Sequence, residues 1–334
     1  MTLRCLLPPV LARVVAIGIL VAGSLTLAIL GLQRLDAMAD RGDASYEFVQ
    51  DGRVRHYLLH KPAGMDPDQP VPLVMVLHGR DGVPAEFARL AGFDPVADKE
   101  GFAVVYPEGS SPGEISPPHR TWNAGFCCVP ALRAHVDDVG FLNAVVDRVE
   151  RQLPIDPARV YVTGFSNGGM MAYRLAAESS GRFAAVAVVS GAIGGRAGRG
   201  MPLVTWPVPS EPLPALIIHG HADRVVLYNG GVSNVTGFPG RFNLSVADAL
   251  HFWTEADHCS AQAVEWRSAD VSQIGKIYAG CHDGAEVQLV QLVKERHAWP
   301  RTIVLANGRR MSGAEFIWTF FERHSRPHLM ASAD

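Results

Sequence analysis

The segment Gly164–Gly168, with the pattern G-x-S-x-G, has residue types suited to nucleophilic acyl transfer. An apolar run, Val160–Thr163, precedes it, and a helical pattern follows at once. A strand that turns sharply into a helix needs small residues on both sides of the turn, and it presents the central hydroxyl at the helix N-terminus. We therefore predict that Ser166 is a nucleophile. The alternative is a glycine-rich helix entry with an N-capping serine.

A serine hydroxyl needs a base to accept its proton, and the base needs an acid to orient it. In sites of this kind the acid and then the base follow the serine along the chain. Asp223 stands just after the apolar run Leu216–His219, so it is the predicted acid. Its alternative is a turn aspartate that binds backbone N–H groups. Asp248 and Asp257 are weaker candidates because they sit on or beside a helical pattern.

The predicted base is His297, which follows the strand-like run Val287–Val293. A loop after a late strand can bring an imidazole over the strand ends, where Ser166 is expected. The other histidines after Asp223 lie in or beside helical patterns, in a turn or near the chain end: His251, His258, His282, His324 and His328.

An acyl-transfer site also needs two backbone donors for the oxyanion of the tetrahedral intermediate. One predicted donor is the N–H of Asn167, the residue after the nucleophile. The other should come from an early strand-end loop, Leu77–Gly82, through the N–H of Arg80. His78 in the same loop is interpreted as a structural residue.

The elements that must position these residues alternate between apolar runs and helical patterns. Short β-branched runs are typical of strands buried on both faces, and strand–helix repeats predict a mostly parallel sheet with helices on both faces. Asp137 and Asp138 precede one helical pattern and are expected to cap it. Asp51-Gly52 predicts a hairpin turn near the start. The predicted strands are Leu73–Leu77, Phe102–Tyr106, Val160–Thr163, Ala184–Val189 and Leu216–His219.

Composition excludes several classes of protein. The chain has 334 residues, with 30 basic against 33 acidic side chains, so it lacks the basic excess typical of nucleic-acid binding. A hydrophobic content of 48% with 19% charged residues supports a packed core rather than disorder. We see no linker or repeat and predict one α/β catalytic domain over residues 40–334.

The N-terminal segment predicts export. Val14–Leu32 contains no charged residue and is just long enough to span a bilayer. The small residues Ala37 and Ala39 fit a signal-peptidase site. Residues 1–39 are therefore predicted to be a cleaved export signal or an uncleaved membrane anchor, with a buried core helix as the alternative. Both leading interpretations place the rest of the chain in an extracellular or periplasmic location.

The cysteines agree with export. Beyond Cys5, the chain has Cys127, Cys128, Cys259 and Cys281, which allow three pairings, and four reduced thiols are the alternative. The chain has no C-x-x-C pair, and we predict no metal site.

Several ordered motifs together resemble the esterase group of α/β-hydrolases that includes polyhydroxybutyrate depolymerases, feruloyl esterases and acetylxylan esterases. The resemblance covers roughly residues 45–322. It implies the α/β-hydrolase fold, the triad Ser166, Asp223 and His297, an ester substrate that is small or polymeric, and no cofactor. It also favours a Cys259–Cys281 bridge. The motifs are Leu77–Gly79, Trp122–Gly125 with Cys127-Cys128, Val136–Leu142, Gly164–Met171, His219–Asp223 with Tyr228–Gly231, Phe252-Trp253 and His297–Pro300.

Trp122, Tyr228 and Trp299 are predicted to line the cleft, since aromatic faces suit a sugar, a feruloyl ring or a polyester chain. Core packing is the alternative for each. Arg296 and Arg301 flank the base where the family commonly has glycines, which leaves the particular ester open.

Two other functions compete with an exported esterase. A serine peptidase of the same fold would use the same triad, but such enzymes commonly carry an added gating domain. A non-catalytic binding protein would not need all three triad groups. We expect no nucleic-acid partner, and a membrane contact only through an uncleaved N-terminal segment.

Overall fold

The computed structural model describes residues 43–111, 119–233 and 240–326. The described residues from Ser45 onward group into one compact unit. The predicted export signal or anchor, residues 1–39, lies outside the described residues. Within the described ranges, no helix has the length and apolar character needed to cross a membrane.

One ten-stranded sheet forms the centre of this unit, in the order β1-β2-β4-β3-β5-β6-β8-β13-β12-β11. Three short strands make a small second sheet, and two more form a hairpin. The strands are β1 Asp43–Gln50, β2 Arg53–His60, β3 Val71–Leu77, β4 Ala103–Pro107, β5 Ile155–Phe165, β6 Ala185–Val189, β7 Gly195–Arg196, β8 Ala215–Gly220, β9 Gly231–Val232, β10 Phe242–Asn243, β11 Ala263–Arg267, β12 Gln273–Tyr278, β13 Val287–Leu292, β14 Ile303–Val304 and β15 Arg310–Met311.

The six central strands, from β4 to β13, pair in parallel, whereas β2, β12 and β11 pair antiparallel at the margins. The predicted apolar runs all fall in the central strands, because strands covered on both faces expose little polar surface. The predicted turn at Asp51-Gly52 joins β1 to β2. The mostly parallel sheet is therefore confirmed.

Helices cover both faces of the sheet, as predicted. On one face α3, α4 and α5 pack on alternate strand residues such as Leu73 and Met75. On the other face α1, α2 and α6 pack on the intervening residues, Val74 and Val76 among them. The helices are α1 Pro84–Ala91, α2 Asp94–Glu100, α3 Asp138–Gln152, α4 Asn167–Glu178, α5 Val246–Ala256 and α6 Gly313–Phe321.

The predicted acidic cap of α3 is half right. Asp137 is the N-cap, and its side chain accepts a hydrogen bond from the Gly140 N–H at 2.8 Å. Asp138 instead turns inward, where it is fully buried and forms an ion pair with Arg55 at 2.7 Å. Its second oxygen accepts the Asn123 N–H at 2.7 Å. This buried carboxylate therefore ties β2 and α3 to the loop around residue 123.

A second buried carboxyl, that of Asp257, ends α5. Its Oδ1 accepts the Leu213 N–H at 2.8 Å, and its Oδ2 has no hydrogen-bond partner among the described residues. Burial raises the pKa of Asp257 to about 7. Because the folded state holds this proton more tightly than the unfolded chain, stability from this group is greatest at low pH. It is lost as the pH rises from about 4 to about 7.

Asp257→Asn should remove this pH dependence, because an amide keeps the acceptor for Leu213 but carries no charge. We expect the variant's unfolding free energy, relative to that of the unsubstituted protein, to rise by about 3 kcal/mol between pH 5 and pH 8. Urea unfolding at several pH values measures this difference. Asp283 is exposed, so Asp283→Asn is the control. Its unfolding free energy should vary with pH as that of the unsubstituted protein does. If the unfolding free energies of all three proteins varied equally with pH, the claim that buried Asp257 titrates in this range would be contradicted.

Candidate active site

The G-x-S-x-G segment forms a sharp turn between β5 and α4. Ser166 has φ 55° and ψ −117°, a conformation that L-residues rarely adopt and that is often found where a functional group is held in a fixed direction. A Cβ at Gly164 would collide with the Gly168 carbonyl. A Cβ at Gly168 would collide with the Leu77 and His78 carbonyl oxygens at the end of β3. The glycines are therefore required by close backbone contact.

Ser166, His297 and Asp223 lie in one hydrogen-bonded row. His297 Nε2 is 2.8 Å from Ser166 Oγ, and His297 Nδ1 is 2.7 Å from Asp223 Oδ2. A carboxylate only accepts, so Nδ1 carries the proton and Nε2 presents a lone pair to the serine hydroxyl. The arrangement can move the Ser166 proton onto His297, which is the chemistry of an activated serine.

The Asp223 carboxylate is buried and well satisfied. Its Oδ1 accepts the N–H groups of Val225 and Val226 at 2.8 and 2.9 Å. Burial opposes ionisation, but hydrogen bonds from two histidines, His219 and His297, outweigh it and hold the pKa of Asp223 well below its usual range. The group is therefore an anion at neutral pH and can stabilise an imidazolium.

Parallel pairing brings the acid and base loops together. Strands β8 and β13 are neighbours, with Gly220 opposite Leu292, so the loops that follow them leave the same edge of the sheet. The Ala222 N–H donates to the Glu295 carbonyl at 3.0 Å and ties the loops directly. A Cβ at Gly220 would lie 2.5 Å from that same carbonyl oxygen, so this approach also requires glycine.

The other candidate acids and bases have different partners. Asp248 completes a capping box with Ser245 at the start of α5, and Asp257 holds the Leu213 N–H. Of the other histidines, His251 faces Glu255, the His258 ring lies against that of His282, His324 bonds Glu286, and His328 lies outside the described residues.

His78 has the structural role expected from the sequence. Its Nε2 accepts the Gly109 N–H at 2.9 Å, so the ring proton is on Nδ1, which donates to the Gly79 carbonyl at 2.7 Å. Burial lowers the pKa of His78 to about 4, and the ring is neutral at neutral pH. Since the Gly79 carbonyl and the Arg80 N–H belong to one peptide unit, His78 fixes the direction of that N–H.

The predicted oxyanion donors lie on adjoining segments. Asn167 is the first residue of α4, and helix geometry leaves its N–H without an intrahelical acceptor. Arg80 follows Gly79, whose Cβ position would be 3.0 Å from the ring of Phe165, the residue before Ser166. The Arg80 side chain pairs with Asp81 at 3.1 Å.

The prediction that Trp122 lines the cleft is wrong. Trp122 is fully buried in the main core, the apolar cluster on the sheet face covered by α3, α4 and α5. Its Nε1 donates to the His78 carbonyl at 2.9 Å. Trp299 is also a core residue and packs edge-on against Phe87 and Phe165, so the core alternative holds for both tryptophans. Tyr228 is half-buried, and its hydroxyl donates to Gln291 Oε1 at 3.1 Å. Its contact with substrate stays a prediction.

Sequence reasoning missed His219. Its Nε2 donates to the Val226 carbonyl at 2.8 Å and lies 3.5 Å from Asp223 Oδ2. The only signal in the sequence is that His219 stands four residues before the predicted acid. That spacing brings the two side chains together because the chain turns back after β8.

Two disulfides are present among the described residues. Cys259 bonds Cys281, as the resemblance favoured. The adjacent Cys127 and Cys128 bond each other, which resolves the pairing that the sequence left open. The Arg241 guanidinium lies 3.2 Å from Cys127 Sγ.

Comparisons with known proteins agree with this architecture. Residues 55–205 match the family described as Esterase PHB depolymerase. The chain is 39% identical over 197 residues to NocK, a proposed esterase of Nocardia uniformis subsp. tsuyamanensis, covering 58% of this chain and 52% of that protein. It is 32% identical over 189 residues to feruloyl esterase C of Emericella nidulans, covering 55% and 60%. The chain thus spans about half the length of such relatives.

Solved structures show the same fold. The acetyl xylan esterase from Aspergillus awamori superimposes with a TM-score of 0.55 at 14% identity, over 84% of this chain and 99% of that one. The sheet order, the two helical layers and the strand-turn-helix segment around Ser166 are those of the α/β-hydrolase fold. Within that fold the chain resembles the esterase group of the polyhydroxybutyrate depolymerases, feruloyl esterases and acetylxylan esterases.

Gly168→Ala tests the close contact that shapes the site. The added methyl group has no room against the β3 carbonyls, so we expect a loss of about 1–3 kcal/mol of unfolding free energy and slower labelling of Ser166 by a fluorophosphonate. Gly181→Ala is the control, because its Cβ position is 3.9 Å from the nearest atoms, and it should change stability by less than about 0.5 kcal/mol. A Gly168→Ala protein as stable as the control would refute the steric argument.

Proposed function

We propose that this chain is a serine carboxylic-ester hydrolase. The row from Ser166 through His297 to Asp223, at a strand-turn-helix nucleophile position, carries the proposal. The match of residues 55–205 to an esterase family supports it, and the relatives named as feruloyl esterases indicate the same reaction class. We further propose that the chain is exported, with residues 1–39 as a signal or anchor.

Acylation begins when Ser166 Oγ bonds to the ester carbonyl carbon as its proton passes to His297 Nε2. The carbonyl oxygen becomes an oxyanion, which the N–H groups of Asn167 and Arg80 stabilise. Asp223 holds the ring in the required tautomer and stabilises the imidazolium. Collapse of the intermediate breaks the carbon–oxygen bond of the ester, and His297 gives its proton to the departing alcohol.

Deacylation repeats the route with water. A water molecule adds to the acyl carbonyl and gives its proton to His297 Nε2. The second tetrahedral intermediate collapses to the free acid, and the proton returns to Ser166 Oγ. The cycle consumes one water per ester and needs no group beyond this chain's own residues.

For the substrate, we propose feruloyl or acetyl esters of plant polysaccharide, or hydroxyalkanoate oligomers. Methyl ferulate, acetylated xylan and hydroxybutyrate oligomers, each assayed with the purified chain and a matched amide, separate these classes and a peptidase. Serine-dependent release from one ester and none from its amide is the expected result. Faster amide than ester cleavage would contradict an esterase. Release from no ester, with Ser166 still labelled by a fluorophosphonate, would contradict this choice of substrates alone.

Ser166→Ala should lower kcat by at least about 10³-fold on any ester that the protein hydrolyses, because the acyl-enzyme can no longer form. Ser190→Ala is a matched control. Ser190 also has a positive φ, it follows the neighbouring strand β6, and its buried hydroxyl has no partner among the described residues. It should retain activity within a few-fold. Near-normal turnover by Ser166→Ala would contradict the proposed nucleophile.

A further inference from the structure

We propose that Trp122 and the side chain of Asn167 are positioning residues that fix the two oxyanion donors relative to each other. The inference rests on the proposed function, because it concerns the same donors. Neither side chain would touch the substrate. Both would act through the backbone groups of Asn167 and Arg80.

A reciprocal pair of hydrogen bonds joins Trp122 to Asn167 at the start of α4. The Trp122 N–H donates to Asn167 Oδ1 at 2.8 Å, and Asn167 Nδ2 donates to the Trp122 carbonyl at 3.1 Å. Both residues are buried. The Asn167 side chain thus anchors the helix residue whose own N–H is one proposed donor to the loop that carries Trp122.

A further hydrogen bond connects the same tryptophan to the loop after β3. Trp122 Nε1 donates to the His78 carbonyl at 2.9 Å, and the two rings lie 5.0 Å apart. His78 in turn holds the Gly79 carbonyl, whose peptide unit carries the Arg80 N–H. Trp122 therefore bonds to both segments that supply a donor, to α4 through its backbone N–H and carbonyl and to the β3 loop through its indole.

Trp122 is itself held from outside the site. The Cys128 N–H donates to the Trp122 carbonyl at 3.0 Å, and the next residue, Asn123, donates its N–H to the buried carboxylate of Asp138. Thr121 on the other side pairs with Ser110 in both directions at 2.9 Å. The loop can therefore serve as a fixed reference for the donors.

Donor placement affects the transition state more than the ground state. An oxyanion carries a full charge and a changed carbonyl geometry, so donors already aimed at it give stabilisation that the trigonal ester does not receive. If a donor N–H moves out of position, its hydrogen bond to the oxyanion weakens, because the donor–hydrogen–acceptor angle decreases. Loss of the Trp122 links should therefore lower kcat with little effect on KM.

Trp253 provides a matched control for simple packing. It is also fully buried in the main core, but its Nε1 has no hydrogen-bond partner among the described residues. Trp122→Phe and Trp253→Phe each replace an indole by a phenyl ring in the same core. Only Trp122→Phe removes a link to the β3 loop.

The test compares kcat, KM and the inhibition constant of an alkyl boronic acid, which forms a tetrahedral adduct with an active serine. Trp122→Phe should lower kcat about tenfold and weaken boronate binding by a similar factor, with KM within about twofold. That loss is below the roughly 10²–10³ expected for deleting a donor outright. Trp253→Phe should leave kcat and boronate binding within about twofold, although both variants lose stability.

Equal kcat values for the two phenylalanine variants would overturn the inference, as would a loss seen only in KM. If Trp122→Phe does not fold, Asn167→Ala serves instead, because it removes both bonds to Trp122 and keeps the Asn167 N–H. It should show the same fall in kcat and boronate affinity at unchanged KM, and normal kcat would refute the inference. If the unsubstituted protein shows no serine-dependent hydrolysis, the proposed function fails and the inference falls with it.

Discussion

The site depends on one steric constraint, the direct backbone contact between the nucleophile turn and the end of β3. Atoms of the Gly168 backbone lie against the carbonyls of Leu77 and His78, with no space for a side chain between them. The contact joins main-chain atoms at the start of α4 and at the end of β3, and β3 pairs in parallel with β5, the strand that leads into α4, so the contact is rigid. That rigidity allows Ser166 to keep a strained φ of 55° and holds the two predicted oxyanion donors on adjoining segments.

Buried polar groups then fix the loops that a parallel sheet leaves open at its carboxyl edge. His78, Trp122 and Asn167 are all buried, and each has a defined set of donors and acceptors. Such a network costs free energy if any member is unsatisfied, so it permits few alternative arrangements. These hydrogen bonds order the site, although none of the three side chains needs to contact a substrate.

Three buried carboxyls among the described residues differ in what surrounds them, and their chemistry differs accordingly. Asp138 faces the Arg55 guanidinium and a backbone N–H, and it joins three elements. Asp257 has one backbone N–H and no charged partner that shifts its pKa, so burial outweighs the Leu213 hydrogen bond and raises its pKa. Asp223, whose carboxylate is equally buried, has two backbone donors and two histidines, and it stays ionised. Residue type does not decide the role of an aspartate; the donors around it do.

The sequence alone determined the parallel sheet, its helical layers, and the serine, acid and base that the structure brings together. These predictions depended on features that are local in the chain and can therefore be recognised in the sequence. They are the strand and helix periodicity, the glycines around Ser166, and the positions of Asp223 and His297 after strands. Only the tertiary structure decided that Trp122 is a buried link rather than a cleft residue, that His219 reaches Asp223, and that Cys127 pairs with Cys128. Each of these depends on which backbone groups face a side chain after the loops fold back over the sheet edge, and residue type and spacing do not specify that.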